Sequence, residues 1–399
     1  MKKIIEEYIN KVLEFGCNIQ NGDSLVVTSM MNIDELKKAV LEVKDKYGIN
    51  QLIFLDQDRI KLYKFLKSNP KEEEIKQYVQ HLPKLKDPHR TKILYAIDDD
   101  YSSSYRNIID NYKKLYGIYD HEDYQTNKEF WSTFNEKCVT LFTWPDEHWA
   151  KSLLGSEDDL DKLWMLINQT IPDRSELLDI IKRHKEIRRK LNELAIKNLH
   201  LYTQSGTDLS IGLSDKSIWL SEPTTLNECE YFYNFPSYEI YTSPDCNTAE
   251  GKVSVIKPSH LDGKKINYAN LKFEKGKCVS AESDNEKWNQ TVMNENNHLT
   301  RIGEIALVSK KTPIAKLNRP LNSLLLDENS GCHLALGNSI DKCIDLPESI
   351  LNEDKKMDYG FYNSSHHQDL VFGDDSVTVE AETSNSGKKL LLENGRWKI

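Results

Sequence analysis

From Ser175 to about Asn198, Leu177, Leu178, Ile181, Ile187, Leu191 and Leu194 recur at helical spacing, with Lys182-Arg183-His184-Lys185 and Arg188-Arg189-Lys190 between them. This is the pattern of one long amphipathic helix with a charged, solvated side. The residues before it and after it differ in texture. In a chain of 399 residues, long enough for two cores, the helix marks the expected boundary. Residues 1–198 form an N-terminal domain ending in it, and residues 199–399 form a C-terminal domain.

The first half alternates. Ile4, Ile5, Tyr8, Ile9, Val12 and Leu13 have helical spacing, Asn21-Gly22-Asp23 turns the chain, and Ser24-Leu25-Val26-Val27-Thr28 reads as a strand. Asn32 with Glu35 has the form of a capped helix start, with Leu36, Ala39, Val40, Val43 and Tyr47 as the apolar stripe. Gly48 ends that helix ahead of a strand at Gln51-Leu52-Ile53-Phe54-Leu55. Strand, helix and strand in succession predict an α/β domain with a parallel or mixed sheet. Further strands are expected at residues 92–97 and 138–142. The polar residues of Trp144-Pro145-Asp146-Glu147-His148-Trp149-Ala150 are assigned to a loop or helix cap. Glu157-Asp158-Asp159 is the solvated start of a helix carrying Leu160, Leu163, Trp164 and Ile167.

After the long helix, short strands dominate, at residues 199–203, 208–213, 253–256, 270–273, 279–282 and 304–308, and again in the last stretch from Ser376 to Trp397. The expected architecture is an α/β N-terminal domain plus a β-rich α+β C-terminal catalytic domain.

Several classes are disfavoured. A formal charge of −10 opposes non-specific binding of phosphate backbones. Neither G-x-G-x-x-G nor G-x-x-x-x-G-K-[ST] follows the first strand, so the phosphate cradle of a nucleotide site is missing. No segment approaches the roughly twenty apolar residues of a membrane span, and Met1-Lys2-Lys3 meets Glu6-Glu7 before any signal-like core. Cys17, Cys138, Cys229, Cys246, Cys278, Cys332 and Cys343 lack C-x-x-C spacing, which suggests reduced thiols. The expectation is a cytoplasmic protein with neither nucleic acid nor membrane as partner.

Four segments of the second half supply carboxylates and imidazoles: Glu239 in Asn234–Glu239, Glu304 in Gly303–Ala306, His333 in Asp327–His333, and His367 with Asp369. Two Glu, two His and one Asp make a hard-to-borderline donor set of the kind that Zn, Co, Mn or Fe(II) accept. His367 and Asp369 stand at i and i+2, so on a strand they share a face. His366 is the rival for His367 but lacks that relation. His333, after Ser330-Gly331, reads as lying in a turn that enters a short helix or buried segment. Cys332 beside it is a candidate nucleophile or thiolate ligand, though single buried cysteines usually act as small hydrophobes.

The run Ser323-Leu324-Leu325-Leu326-Asp327-Glu328-Asn329-Ser330-Gly331-Cys332-His333-Leu334-Ala335-Leu336-Gly337 resembles the "N-T-L-x-D-E-N-x-x-C-H-L-A-L-G" signature of the aminopeptidase T, AmpS and PepS family of metalloaminopeptidases. Gly303-Glu304-Ile305-Ala306-Leu307-Val308 is similar to that family's "G-E-x-A-L-V". Asn234 to Pro244 is similar to "N-x-P-T-E-E-V-F-T-A-P", and Gly206 to Leu213 to "G-T-D-L-x-x-G-L". The resemblance is weak over the first half and strong from about Leu201 onward.

It implies Glu239, Glu304, His333, His367 and Asp369 as ligands of two divalent ions (Zn, Co, Mn or Mg), with Glu239 and Glu304 also in the catalytic machinery. It implies peptides with a free N-terminus as substrates, and a homodimer. Two positions depart from the pattern. The family's tyrosine seven residues after the histidine is Ile340 here, which cannot donate a hydrogen bond, with Tyr359 or Tyr362 as possible substitutes. The first Glu of "T-E-E" is Tyr238, expected to face away from the ions. Two other readings remain: a mononuclear iron ring-cleaving dioxygenase using only His333, His367 and Asp369, and a catalytically weak relative acting as a binding protein.

Overall fold

The computed structural model describes residues 1–29, 34–54, 90–97, 138–261, 263–351, 355–385 and 387–399. Asn32 and Leu55, named above as a helix cap and a strand end, lie outside the described residues. The chain divides into two compact units, one of residues 1–168 and 223–236, the other of 169–222 and 237–399. Both are mixed assemblies of helices and sheets.

In the first unit, the apolar runs predicted as strands form a parallel sheet. Its members are β1 (Ser24–Ser29), β2 (Gln51–Phe54), β3 (Thr91–Ile97), β4 (Cys138–Thr143) and β10 (Asn234–Phe235), in the order β10-β4-β3-β1-β2. All six residues of β1 are buried, with Leu25, Val26 and Val27 at its centre, because both faces of a parallel sheet are covered. The helix Asp34–Val43 buries Leu36, Ala39, Val40 and Val43, the stripe its spacing predicts. Ser156 caps a 3-10 turn at Glu157–Asp159, which leads into the helix Leu160–Asn168 with Leu163, Trp164 and Ile167 buried. Asp146 accepts the Trp149 N–H at 2.7 Å and so caps the helix Glu147–Leu154. A hairpin of β8 (Thr224–Leu226) and β9 (Cys229–Tyr231) precedes β10.

The second unit begins with the long helix, at Arg174–Glu193 rather than 175–198, followed by β5 (Ile196–Tyr202). Relative to the expected boundary at 198/199, this helix groups with the second unit, because Ile187 and Leu191 insert into that unit's core. Residues 223–236 group with the first unit, where β10 extends the parallel sheet.

An eight-stranded sheet has the order β16-β15-β12-β6-β5-β20-β21-β22. It uses β5, β6 (Asp208–Gly212), β12 (Glu250–Val255), β15 (Ala269–Glu274), β16 (Lys277–Ser283), β20 (Thr378–Thr383), β21 (Gly387–Glu393) and β22 (Arg396–Trp397). A second sheet, ordered β19-β18-β17-β11-β7, is built from β7 (Leu220–Ser221), β11 (Glu239–Thr242), β17 (Ile302–Val308), β18 (His333–Gly337) and β19 (His367–Val371), every neighbouring pair antiparallel. Ile240, Ile305, Leu307, Leu334, Leu336 and Leu370 of this sheet share one core with Leu199, Leu209, Val253, Leu271 and Val379 of the eight-stranded sheet. That shared core is the basis of the unit's stability.

Candidate metal centre

The other face of the five-stranded sheet carries the polar residues. Antiparallel partners point to the same side, so register decides which side chains meet. Glu239 pairs with Val308 and Tyr241 with Ala306. Ala306 pairs with His333, and Glu304 with Ala335. Ala335 in turn pairs with Asp369, and Gly337 with His367. Counting in twos along each strand puts Glu239, Tyr241, Glu304, His333, His367 and Asp369 on one face. Ala306, Ala335 and Gly337 lie among them, and their small size leaves the space in which the longer side chains converge.

His333 was expected in a turn that enters a helix or buried segment. It opens β18, separated by two residues from the short 3-10 turn Glu328–Ser330. The run Leu334-Ala335-Leu336 is apolar at every position, so periodicity cannot separate a buried strand from a short helix. All five residues of β18 are buried.

Two glycines make the close approach of these strands possible. A Cβ on Gly303 would sit 2.4 Å from the carbonyl oxygens of Gly337 and Asn338. Gly337 has φ +105°, and a Cβ there would lie 2.2 Å from the His366 carbonyl oxygen.

The geometry forms two overlapping groups. Glu239, Glu304 and His333 each offer an atom within 4.8 Å of the others, and so do Glu304, His367 and Asp369; Glu304 belongs to both. His333 Nε2 lies 3.0 Å from Glu239 Oε2. His367 Nε2 lies 2.9 Å from Glu304 Oε2 and 3.4 Å from Asp369 Oδ1. The other ring nitrogens meet backbone carbonyls, His333 Nδ1 at 3.3 Å from Gly331 O and His367 Nδ1 at 3.0 Å from Asn338 O. A carbonyl only accepts, so each Nδ1 carries the hydrogen and Nε2 is aimed into the cluster.

Side-chain exposure rises from 1% at His333 through 5% at Glu304, 7% at Glu239 and 12% at Asp369 to 34% at His367, so the cluster opens to solvent at the β19 edge. His366, the rival to His367, places its Nδ1 3.1 Å from the Ser365 hydroxyl.

Electrostatics reflects the concentration of carboxylates. Burial pushes the Glu304 carboxyl up, and the charges of Asp369 and Glu239 add to that, against the downward pull of His367. Burial would lower His333, but the hydrogen bond and charge of Glu239 carry it up to about 9. His367 likewise rises well above the ordinary imidazole range, burial opposing and Asp369 and Glu304 prevailing. Asp369 falls below the usual carboxylate range, because the His367 charge outweighs its burial. Protons on the imidazoles thus supply the positive charge that three carboxylates demand. A cation would meet the same demand and displace those protons. Oxygen and imidazole donors of this kind, with no thiol in either group, fit divalent Zn, Co, Mn or Mg.

Cys332 is not part of this face. Its Sγ accepts the Val308 N–H at 3.3 Å, and it belongs to the apolar core. Burial raises its thiol to about 12, which removes the nucleophile reading.

Other residues of the recognised signatures have structural work. Asp327 accepts the N–H groups of Leu321 at 2.7 Å and Ser323 at 3.2 Å. Asn329 Oδ1 accepts the Tyr238 N–H at 2.5 Å and so fixes the entry to β11. The Tyr238 hydroxyl donates to the Thr170 carbonyl at 2.6 Å, away from the cluster.

Sequence reasoning missed Tyr241. Its signal was available, since it stands two residues after Glu239, on the same strand face. Burial raises its phenol far above the ordinary value, and Glu222, Cys343, Glu239 and Glu304 all contribute, which places it in the field of the cluster. Of the two tyrosines considered as substitutes for the missing one, Tyr362 packs beside Arg301 and His298, and Tyr359 is exposed.

Comparison with known proteins bears on the family and the fold. Aminopeptidase PepS of Streptococcus thermophilus is 26% identical, over 100% of this chain and 98% of its own. The solved structure of wild-type AmpT from Thermus thermophilus superposes with a TM-score of 0.79 at 20% identity, covering 100% of both chains, a likeness of fold. A 2,5-dihydroxypyridine dioxygenase from Pseudomonas putida KT2440 shares the fold more distantly, with a TM-score of 0.54 at 10% identity over 99% of this chain and 96% of its own. The family model described as thermophilic metalloprotease (M29) matches residues 1–397. On a match of that extent, the chain belongs to the thermophilic metalloprotease (M29) family.

Proposed function

We propose that this protein is an aminopeptidase that removes N-terminal residues from peptides, with two divalent ions supplying an activated water. The supporting observation is the pair of ligand groups joined by Glu304: Glu239, Glu304 and His333 on one side, Glu304, His367 and Asp369 on the other. Two ions held there would polarise the scissile carbonyl and bring a bound water towards ionisation near neutral pH.

Glu304, on the central strand β17, is the shared carboxylate. Glu239 and His333 complete the deeper group, and His367 and Asp369 the more exposed one, which is the side a peptide would approach. The Nδ1 contacts with Gly331 O and Asn338 O hold both imidazoles in the tautomer that leaves Nε2 as donor.

Tyr241 compensates for Ile340. The family pattern quoted above has phenylalanine where Tyr241 stands, so the chain has lost one phenol and gained another in the field of Glu239 and Glu304. High in pKa, the phenol keeps its proton and can donate to an oxyanion. The relatives named aminopeptidases support the substrate class, peptides with a free N-terminus. A cytoplasmic homodimer is part of the same reading.

A one-iron site of His333, His367 and Asp369 is less well supported, because His333 groups with Glu239 and Glu304 and not with the other two. Elemental analysis of protein purified without chelator and re-equilibrated with Co, Zn or Mn is the test. About two ions per chain together with release of N-terminal residues from short peptides is the expected result. One iron per chain, or no ion under any condition, would overturn the proposal.

A further inference from the structure

All seven cysteines lie among the described residues, and six are buried. Burial pushes Cys17 and Cys332 up to about 12, Cys246 and Cys278 up to about 11, and Cys343 well above the ordinary thiol value. Cys229 is the exception. It is partly exposed, at the start of β9, and it lines a surface cavity of about 470 Å³ in the first unit together with Asn18, Asp23, Arg90, Lys92 and Cys138.

The arrangement follows from strand register. Lys92 on β3 and Cys138 on β4 are direct partners in the parallel sheet, so their side chains stand side by side. The β8–β9 hairpin turns at Asn227 and Glu228, with φ of 49° and 65°, the left-handed pair that suits a tight hairpin. Phe232 N–H donates to Gly16 O at 2.8 Å and Asn18 Nδ2 to Glu230 O at 2.9 Å, which ties the hairpin to the rest of the unit. Cys229 is thereby delivered to the lysine. Lys92 Nζ lies 2.8 Å from Cys229 Sγ and 3.6 Å from Cys138 Sγ. Arg90, the neighbouring cation, is engaged with Asp23 at 3.0 Å.

We propose that Cys229 and Cys138 form a reversible dithiol–disulfide site for peroxides, with Cys229 as the reactive thiolate and Cys138 as the resolving thiol. Lys92 Nζ stands between the two sulfurs' side chains, and the neighbouring Cys138 thiol and the Lys92 ammonium, against burial and Asp23, bring Cys229 down to about 6. Cys138 is displaced upward, first by the neighbouring Cys229 sulfur and then by burial, so the proton stays on it. One thiolate and one thiol within reach of each other is the division of labour a peroxide-sensing pair needs.

In the first step, Cys229 sulfur attacks one oxygen of hydrogen peroxide. The O–O bond breaks, sulfur is oxidised to the sulfenic acid, and the departing hydroxide takes a proton to become water. Lys92 is placed to give that proton and to regain one from solvent. In the second step, Cys138 sulfur attacks Cys229 sulfur, the S–O bond breaks, and the hydroxide leaves as water with the Cys138 proton. Two thiols and one peroxide thus give one disulfide and two waters, and a thiol reductant reverses the change. The site is independent of the cluster on the five-stranded sheet, and its test does not use peptidase activity.

The full-length protein is alkylated with iodoacetamide across pH, and each cysteine is followed by mass spectrometry. Cys229 is expected to react first, with a midpoint near pH 6. Hydrogen peroxide in slight excess should then give a Cys138–Cys229 cross-linked peptide that dithiothreitol removes. Cys138→Ser should stop at a Cys229 sulfenic acid trapped by dimedone, and Lys92→Gln should slow Cys229 at pH 7 by roughly tenfold. A Cys229 no more reactive than an ordinary thiol in the wild-type pH profile would overturn the proposal. So would a cross-link to Cys17, the other thiol close by, or Cys229 reactivity that persists unchanged in folded Lys92→Gln. The wild-type profile decides even where that variant does not fold.

Discussion

The two faces of the five-stranded sheet come from the same strands, read at alternate residues. One face, with Ile240, Ile305, Leu307, Leu334 and Leu370, is closed against the eight-stranded sheet and holds the unit together. The other gathers three carboxylates and two imidazoles into two groups that share Glu304. The first face stabilises by removing apolar surface from water. The second carries charge into a buried site, which costs stability except as protons or cations balance it. A single strand therefore bears opposite tasks in successive side chains, and substitutions one residue apart should separate them.

Glu304→Gln makes the sharpest break. It should lower peptidase activity by at least about 10³-fold and remove one ion per chain, while the metal-free protein melts no lower than wild type, because a buried like charge has gone. Ion counts and melting curves on the same preparations would decide. A variant that keeps both ions and its rate would refute the shared-ligand role. On the opposite face, Leu334→Ala should cost about 2–5 kcal/mol of stability in denaturant unfolding, and the protein that remains folded should still bind its ions. If Leu334→Ala abolished ion binding in folded protein, the two faces would not be separable.

The pH dependence has a definite sign. In metal-free protein His333 is raised to about 9, above its unfolded value. Its stabilising contribution is therefore fully present below about pH 6.5 and is lost as pH rises through about 9, up to about 3 kcal/mol. Ion binding requires neutral imidazole and strengthens over the same range. The gap between melting temperatures with and without chelator should widen from pH 6.5 to pH 9; a constant gap would mean that the His333–Glu239 pair does not carry a proton.

Tyr241→Phe should lower kcat by roughly 10²–10³-fold with ion content unchanged, as loss of one hydrogen-bond donor to an oxyanion would. An unaltered kcat would leave Ile340 without a replacement. The smallest effect expected is that of Tyr238→Phe, which removes the hydrogen bond to Thr170 and should cost about 1 kcal/mol of stability with little change in rate.

Much of the architecture was legible because local chemistry agrees with the global fold. The stripe Leu36, Ala39, Val40 and Val43 could bury only as a helix, and the run Ser24–Thr28 only as a covered strand. The i, i+2 relation of His367 and Asp369 was enough to put both on one face of β19. His333 was placed less well, since an all-apolar run has no period to read. The grouping of the long helix with the second unit was hidden too, because a helix pattern shows which face is apolar and not which core receives it.

By itself, the sequence determined the α/β first half, the β-rich second half, the donor types available, and through its resemblance the five residues at issue. Only the tertiary structure decided that β11, β17, β18 and β19 lie side by side in a register that turns all five inward, and that Glu304 falls in both groups. It also brought Tyr241 into their field and set Cys229 against Lys92. The reason is the distance in sequence between the strands: which residues face one another across them depends on long-range pairing, and a slip of one residue would turn every one of these side chains to the other face.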